Sequence, residues 1–140
     1  MKKLCYVIAF LSEIFITGCA ASGAKYSSET GAAADKGNVV VYRPYNFQSG
    51  ALYANVYVDG QKVGKLKNSG YLKLNVGSGK HTLKVGSQTR EISISDNNKL
   101  FFRFTYGWAL FAAIDVINDR LDEVQERFAL DEVKDTNQSI

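Results

Sequence analysis

Histidine occurs once in this chain, and cysteine only at Cys5 and Cys19. A lone His81 cannot build a multi-histidine metal site, and without thiols beyond position 19 no zinc cluster and no metal centre is expected. Nor can a body without cysteine hold an internal disulfide. Proline is equally scarce, at Pro44 alone, whereas twelve glycines point to many tight turns. The acids Asp115, Asp119, Asp122, Glu123 and Glu126 lack the ligand spacing and turn glycine of a calcium loop, and read as a solvated face. Gly77-Ser78-Gly79-Lys80 lacks the full spacing of a phosphate loop. No nucleophile, base and orienter can be assembled from the sequence, so no enzyme and no cofactor is expected.

Acids are also scarce in the middle of the chain. From Lys36 to Arg103 there are eleven Lys and Arg against three Asp and Glu, a net of +8; from Phe104 onward the balance is −5. The lysines are spaced rather than clustered. They read as the wetted outer face of strands, with no nucleic-acid partner.

The amino terminus carries the strongest pattern. Met1-Lys2-Lys3 is a positive start, and Leu4 to Ile16 is a mostly apolar stretch, interrupted by Glu13 and too short for a permanent membrane span. It ends in Ile16-Thr17-Gly18-Cys19, which resembles the bacterial lipobox: an aliphatic residue, two small ones, then the cysteine whose sulfur takes a diacylglyceryl group. The resemblance implies a signal peptide over 1–18, cleavage before Cys19, and attachment to a membrane through covalent lipid. Several acyl chains together make a stable anchor. Ala20 in place of aspartate then implies, for a Gram-negative source, the outer membrane, with the domain facing the periplasm. Residues 19–37 are short of large apolar side chains and read as a flexible leash extending on the order of 20–25 Å.

From Asn38 to the end (38–140) one β-rich domain is expected. Val39 to Arg43 is an apolar strand closed by Pro44. Tyr53 to Val58 alternates, and Asp59-Gly60 is a two-residue hairpin turn leading into Lys62 to Leu66. Asn68-Ser69-Gly70 and Gly77-Ser78-Gly79 punctuate further strands over Tyr71 to Val76 and His81 to Val85. Arg90 to Ile94 follows, and then an aromatic strand with Leu100, Phe102, Phe104 and Tyr106 on its inner row. The pattern predicts a mainly β fold, a small antiparallel sandwich or open barrel, with a C-terminal helical segment. In that segment Leu110, Ile114, Ile117, Leu121, Val124 and Phe128 recur at helical spacing, which predicts one helix from about Trp108 to Phe128.

Several pieces occur in a recognisable order: Val41-Tyr42-Arg43-Pro44, then Asn55 to Gly64 around Asp59-Gly60, then Gly79-Lys80-His81-Thr82-Leu83. This order resembles the bacterial lipoproteins grouped as domain-of-unknown-function 2846, and more loosely the PEGA-type surface module. Arg43, Pro44, Asp59, Gly60, Gly79 and His81 are the structural motif positions. Ser78 stands where the family usually has proline. The tail, with Arg120 to Val124 and Ala129 to Val133, implies by the same resemblance a closing strand and a short helix, against the single-helix reading.

Tyr57, Tyr71, Lys73, Lys84 and Arg103 are expected to face away from the core. They form a candidate binding face for an envelope protein or glycan, or else pack beneath the tail. His81 is expected to bond a turn carbonyl. The expectation for function is an anchored, non-catalytic envelope lipoprotein that binds or supports another envelope component. The alternatives are a structural or stress-related surface lipoprotein that associates with itself through Trp108 and Phe111, and, further off, an enzyme acting on the cell wall.

Overall fold

A computed structural model describes residues 20–26, 38–96, 98–106 and 119–139. Cys19, the residues Ile16, Thr17 and Gly18 expected to form a lipobox with it, and the contact candidates Trp108 and Phe111 lie outside the described residues.

The chain is mainly β, with two sheets packed face to face and no closed barrel among the described residues. One sheet has the order β8-β7-β1-β4-β9, and the other β3-β2-β5-β6. The strands of the first are β1 (Val39–Arg43), β4 (Gly70–Leu74), β7 (Leu100–Tyr106), β8 (Asp119–Val124) and β9 (Asn137–Gln138). Those of the second are β2 (Ala54–Val58), β3 (Gln61–Leu66), β5 (Gly79–Val85) and β6 (Gln88–Ile94). A single described helix, α1 (Glu126–Val133), lies on the outer face of the five-stranded sheet.

Local chemistry explains most of these elements. Asp59 and Gly60 both adopt positive φ (49° and 79°), as the tight β2–β3 hairpin requires. β1 is buried at every position because it is central in its sheet and covered on both faces. That double cover is why its sequence is a continuous apolar run rather than an alternation. Val39 and Val41 point into the inter-sheet core with Phe102, Phe104, Leu121, Val56 and Leu83. Val40 and Tyr42 point the other way, into a second core with Phe101, Tyr71, Tyr26, Ala129 and Val133. The four-stranded sheet instead has one buried and one open face, and β5 and β6 alternate accordingly.

The mainly β sandwich with a C-terminal helical segment is as expected; its strand directions and its leash differ in detail, and one of the two expected forms of the tail is observed. The sheets are not wholly antiparallel: β1 pairs with β7 in parallel, and β4 with β9. The single helix from Trp108 to Phe128 does not form over its second half, where Asp119–Val124 is a strand paired with β7 from Tyr106↔Asp119 to Phe101↔Val124. Leu121 there is buried in the inter-sheet core, while Phe128, which the helical pattern placed on the apolar side, is 54% exposed. The strand followed by a short helix matches the tail that the family resemblance implied.

The leash is corrected for its first described part. Residues 20–26 lie against the edge of the five-stranded sheet: Ala20 bridges Asn68, Lys25 bridges Asn137, and Tyr26 is buried edge-on to Tyr71. The edge carries unpaired backbone groups, and the strip supplies partners. The Ala21 N–H donates to the Asn68 carbonyl (2.9 Å), the Gly23 N–H to Gln138 (3.0 Å) and the Tyr26 N–H to Thr136 (3.1 Å). Small side chains allow the approach. A Cβ on Gly70 would stand 2.8 Å from the Lys67 carbonyl and 3.0 Å from the Ala21 Cβ, so glycine is required where these segments meet.

Candidate functional site

The five residues of the predicted face do not come together. Tyr57 and Lys84 are register partners on β2 and β5, on the open face of the four-stranded sheet, with the Lys84 ammonium 5.9 Å from the Tyr57 ring centre. Tyr71, Lys73 and Arg103 belong to the other sheet, beneath the tail and the N-terminal strip. Tyr71 is buried, and Lys73 sits 4.7 Å over the Tyr26 ring. Arg103 donates from Nη1 to Glu132 Oε1 (2.8 Å), with Asp122 at 4.0 Å. Glu132 also accepts from the Tyr42 hydroxyl (2.6 Å), so this carboxylate fastens α1 to β1 and β7. Burial, and then that bond, raise the Tyr42 phenol above its ordinary range. Three of the five residues therefore hold the helix and strip, and only Tyr57 and Lys84 remain on an open surface. Beside them a shallow cleft of about 330 Å³ is lined by Gly60, Thr82 and Thr89.

At one end of the sandwich, His81 joins two turns. Its Nδ1 lies 2.7 Å from Asp59 Oδ2, and its Nε2 lies 2.9 Å from the Gly77 carbonyl. Asp59 Oδ1 also accepts from the Thr82 N–H (2.8 Å). The bond to Asp59 is the main reason the imidazole is shifted up, and the same bond holds the Asp59 carboxyl below its usual value. Both neighbours offer acceptor oxygens, which favours the protonated imidazole and fixes the ring between the two turns. A cleft of about 400 Å³ opens beside it, lined among others by Gln61, Val63 and Asn75. Among the described residues no three His, Cys, Asp or Glu side chains gather as metal ligands. The arrangement joins the β2–β3 hairpin to the β4–β5 turn, and Gly79, with φ of 124°, begins β5 there in a conformation suited to glycine.

The opposite end holds the motif residues Arg43 and Pro44 and also Asp119, which is buried rather than part of the solvated acidic face expected for it. β1 ends in Arg43, which is 1% exposed. Its guanidinium donates to the Leu52 carbonyl (2.6 Å), the Ser49 carbonyl (2.6 Å) and Ser49 Oγ (2.8 Å), and lies 4.7 Å over the Tyr106 ring. Burial lowers its pKa, but a guanidinium remains charged. These bonds fold residues 44–53 into a compact loop. Asn68 holds the loop from below, its Oδ1 accepting from the Asn46 N–H (2.9 Å). Pro44 starts the loop, which projects Tyr45 at 67% and Phe47 at 85% exposure, with Leu52 and Tyr53 also open. Lys65 lies 4.8 Å over the Tyr53 ring. On the same rim Asp119 is turned inward: burial raises its pKa, but bonds from Ser87 Oγ, the Ser87 N–H and Gln88 outweigh that and lower it. The sequence signal for this end was an aromatic pair directly after a strand-ending Arg-Pro.

A family model described as Protein of unknown function (DUF2846) matches residues 33–112, more than half of the chain. No curated protein and no solved structure matches it.

Proposed function

The chain belongs to the DUF2846 family, and we propose that this member is a lipid-anchored lipoprotein of the bacterial envelope whose β-domain is a non-catalytic binding or supporting module. The observation that carries the reading is the run Ile16-Thr17-Gly18-Cys19 at the end of an apolar stretch that follows two lysines. Acyl chains on Cys19 would bury many methylenes, each contributing about 0.8 kcal/mol, which makes attachment lasting.

Two features of the domain support the rest. The His81 ring has both nitrogens engaged by acceptors, a role that joins turns rather than moves protons. The outer face of the four-stranded sheet, with Tyr57 and Lys84, has no covering layer among the described residues, whereas the five-stranded sheet is covered on both sides. An aromatic ring beside a cation on an open sheet suits a glycan or a protein surface of the envelope.

Cys19→Ala in the full-length chain tests the anchor: the variant should move from the membrane pellet to the soluble fraction. Retention in the pellet refutes the lipid attachment. A photo-crosslinker at Tyr57 in the anchored protein should capture an envelope protein or glycan, and should do so far more than one at buried Tyr71. No capture from Tyr57 refutes the binding role.

A further inference from the structure

We infer that the loop of residues 44–53 is a second membrane contact, with Tyr45 and Phe47 inserting into the bilayer interface beside the lipid on Cys19; this rests on the anchoring reading above. Residue 20 and the loop lie side by side at one end of the sandwich. Ala20 is not at the end of a leash but is bridged to Asn68, and Asn68 is bonded to Asn46 within the loop. Cys19 is one peptide unit from Ala20, about 3.8 Å between Cα atoms. Acyl chains leaving Cys19 therefore bring the bilayer to the end of the sandwich that displays the aromatic loop, and away from the Asp59-Gly60 turn at the other end.

The loop has the chemistry of an interfacial contact. Phe47 is 85% exposed and Tyr45 67%, with Leu52 and Tyr53 also exposed, so apolar surface is gathered on one loop rather than scattered. A tyrosine beside a phenylalanine suits the headgroup level, where one edge of a ring is apolar and the other wet. Lys65 and Lys67 precede the Asn68 turn and offer cations to anionic headgroups at this rim, where Asp119 is turned inward and Asp135 lies beside Ser69. Arg43 gives the loop its shape from inside, through the Ser49 and Leu52 carbonyls, so the aromatic rings are presented by a built turn and not by a floppy one.

The test uses the full, processed and acylated protein carrying Phe47→Cys. Acylation blocks Cys19, so the new thiol takes a polarity-sensitive dye alone. A companion protein carries Gln61→Cys beside the opposite turn; both sites are exposed, so neither substitution disturbs the core. Each is reconstituted into vesicles of phosphatidylethanolamine and phosphatidylglycerol containing a spin-labelled lipid quencher. Dye at 47 should be blue-shifted and quenched several-fold more strongly than dye at 61. Equal, weak quenching at the two sites in a chain that floats with the vesicles overturns the docking and leaves the anchor standing. A chain that does not float, and whose Cys19 takes dye, overturns the anchor and the docking with it. Shielding of position 47 in native envelopes but not in pure lipid assigns the loop to a protein partner and likewise overturns the proposal.

Discussion

Replacing Arg43 with lysine separates what the guanidinium does by charge from what it does by shape. Arg43 makes three hydrogen bonds from two nitrogens, to the Leu52 carbonyl and to the carbonyl and hydroxyl of Ser49, and stacks 4.7 Å over Tyr106. A lysine keeps the charge but has one nitrogen and no plane, so it can serve one of these directions and loses the stack. Each bond from a charged donor contributes about 1.5–3 kcal/mol when its loss leaves a buried partner unmet. Leu52 is 38% exposed and Ser49 only 8%, so the Leu52 carbonyl can turn to water more readily than the Ser49 groups. The net cost is therefore roughly 2–4 kcal/mol. For a chain of this size that lowers the melting temperature by roughly 8–16 °C, at about 4 °C per kcal/mol. Circular dichroism during heating measures this shift, and amide exchange over residues 44–53 should show the loop less protected. Arg43→Met, which serves none of the three acceptors, should loosen the loop at least as much as lysine. A lysine variant melting within about 2 °C of the parent, with the loop equally protected, would refute the account of Arg43 as the loop's internal support.

Three further outcomes follow from the geometry. The Asp59–His81 pair should stabilise the fold most between about pH 3.8 and 6.5, the ordinary values of its members. With the His81 value raised, its contribution is whole below 6.5 and lost as pH rises through the folded-state value; with the Asp59 value lowered, that part is whole above 3.8 and lost on acidification. Urea midpoints across pH check this, and a His81→Gln protein with an unchanged profile contradicts it. Gly70→Ala should push the N-terminal strip and the segment after β9 away from β4, because the new Cβ meets the Ser139 hydroxyl and, at 3.0 Å, the Ala21 Cβ. The cost is about 1–3 kcal/mol, read as faster protease cleavage within residues 20–26, and an equally resistant variant contradicts the close packing. Tyr26→Ala should cost about 3 kcal/mol, since a buried ring packed edge-on to Tyr71 is lost. A urea midpoint unchanged by that substitution would mean that the strip contributes nothing to stability.

Much of the β-domain was readable because the signals are local. Leu100, Phe102, Phe104 and Tyr106 alternate on β7 as the two-residue period requires, and Asp59-Gly60 turns where positive φ is easiest. The candidate face was not readable, because alternation says that Tyr57 and Tyr71 point away from the inter-sheet core but not that a helix covers one and leaves the other open.

From its own residues, then, this chain determined the strands between Val39 and Tyr106 and the turns that join them, since each depends on neighbours a few positions apart. Tertiary structure alone decided that β1 lies parallel to β7, that residues 119–124 are strand where their spacing suited a helix, and that residues 20–26 rest on the sheet edge. These outcomes depend on open edges and uncovered faces supplied by segments far away in the chain. A backbone group or apolar ring takes whichever partner the assembled sheets leave exposed, and no short window of sequence contains that partner.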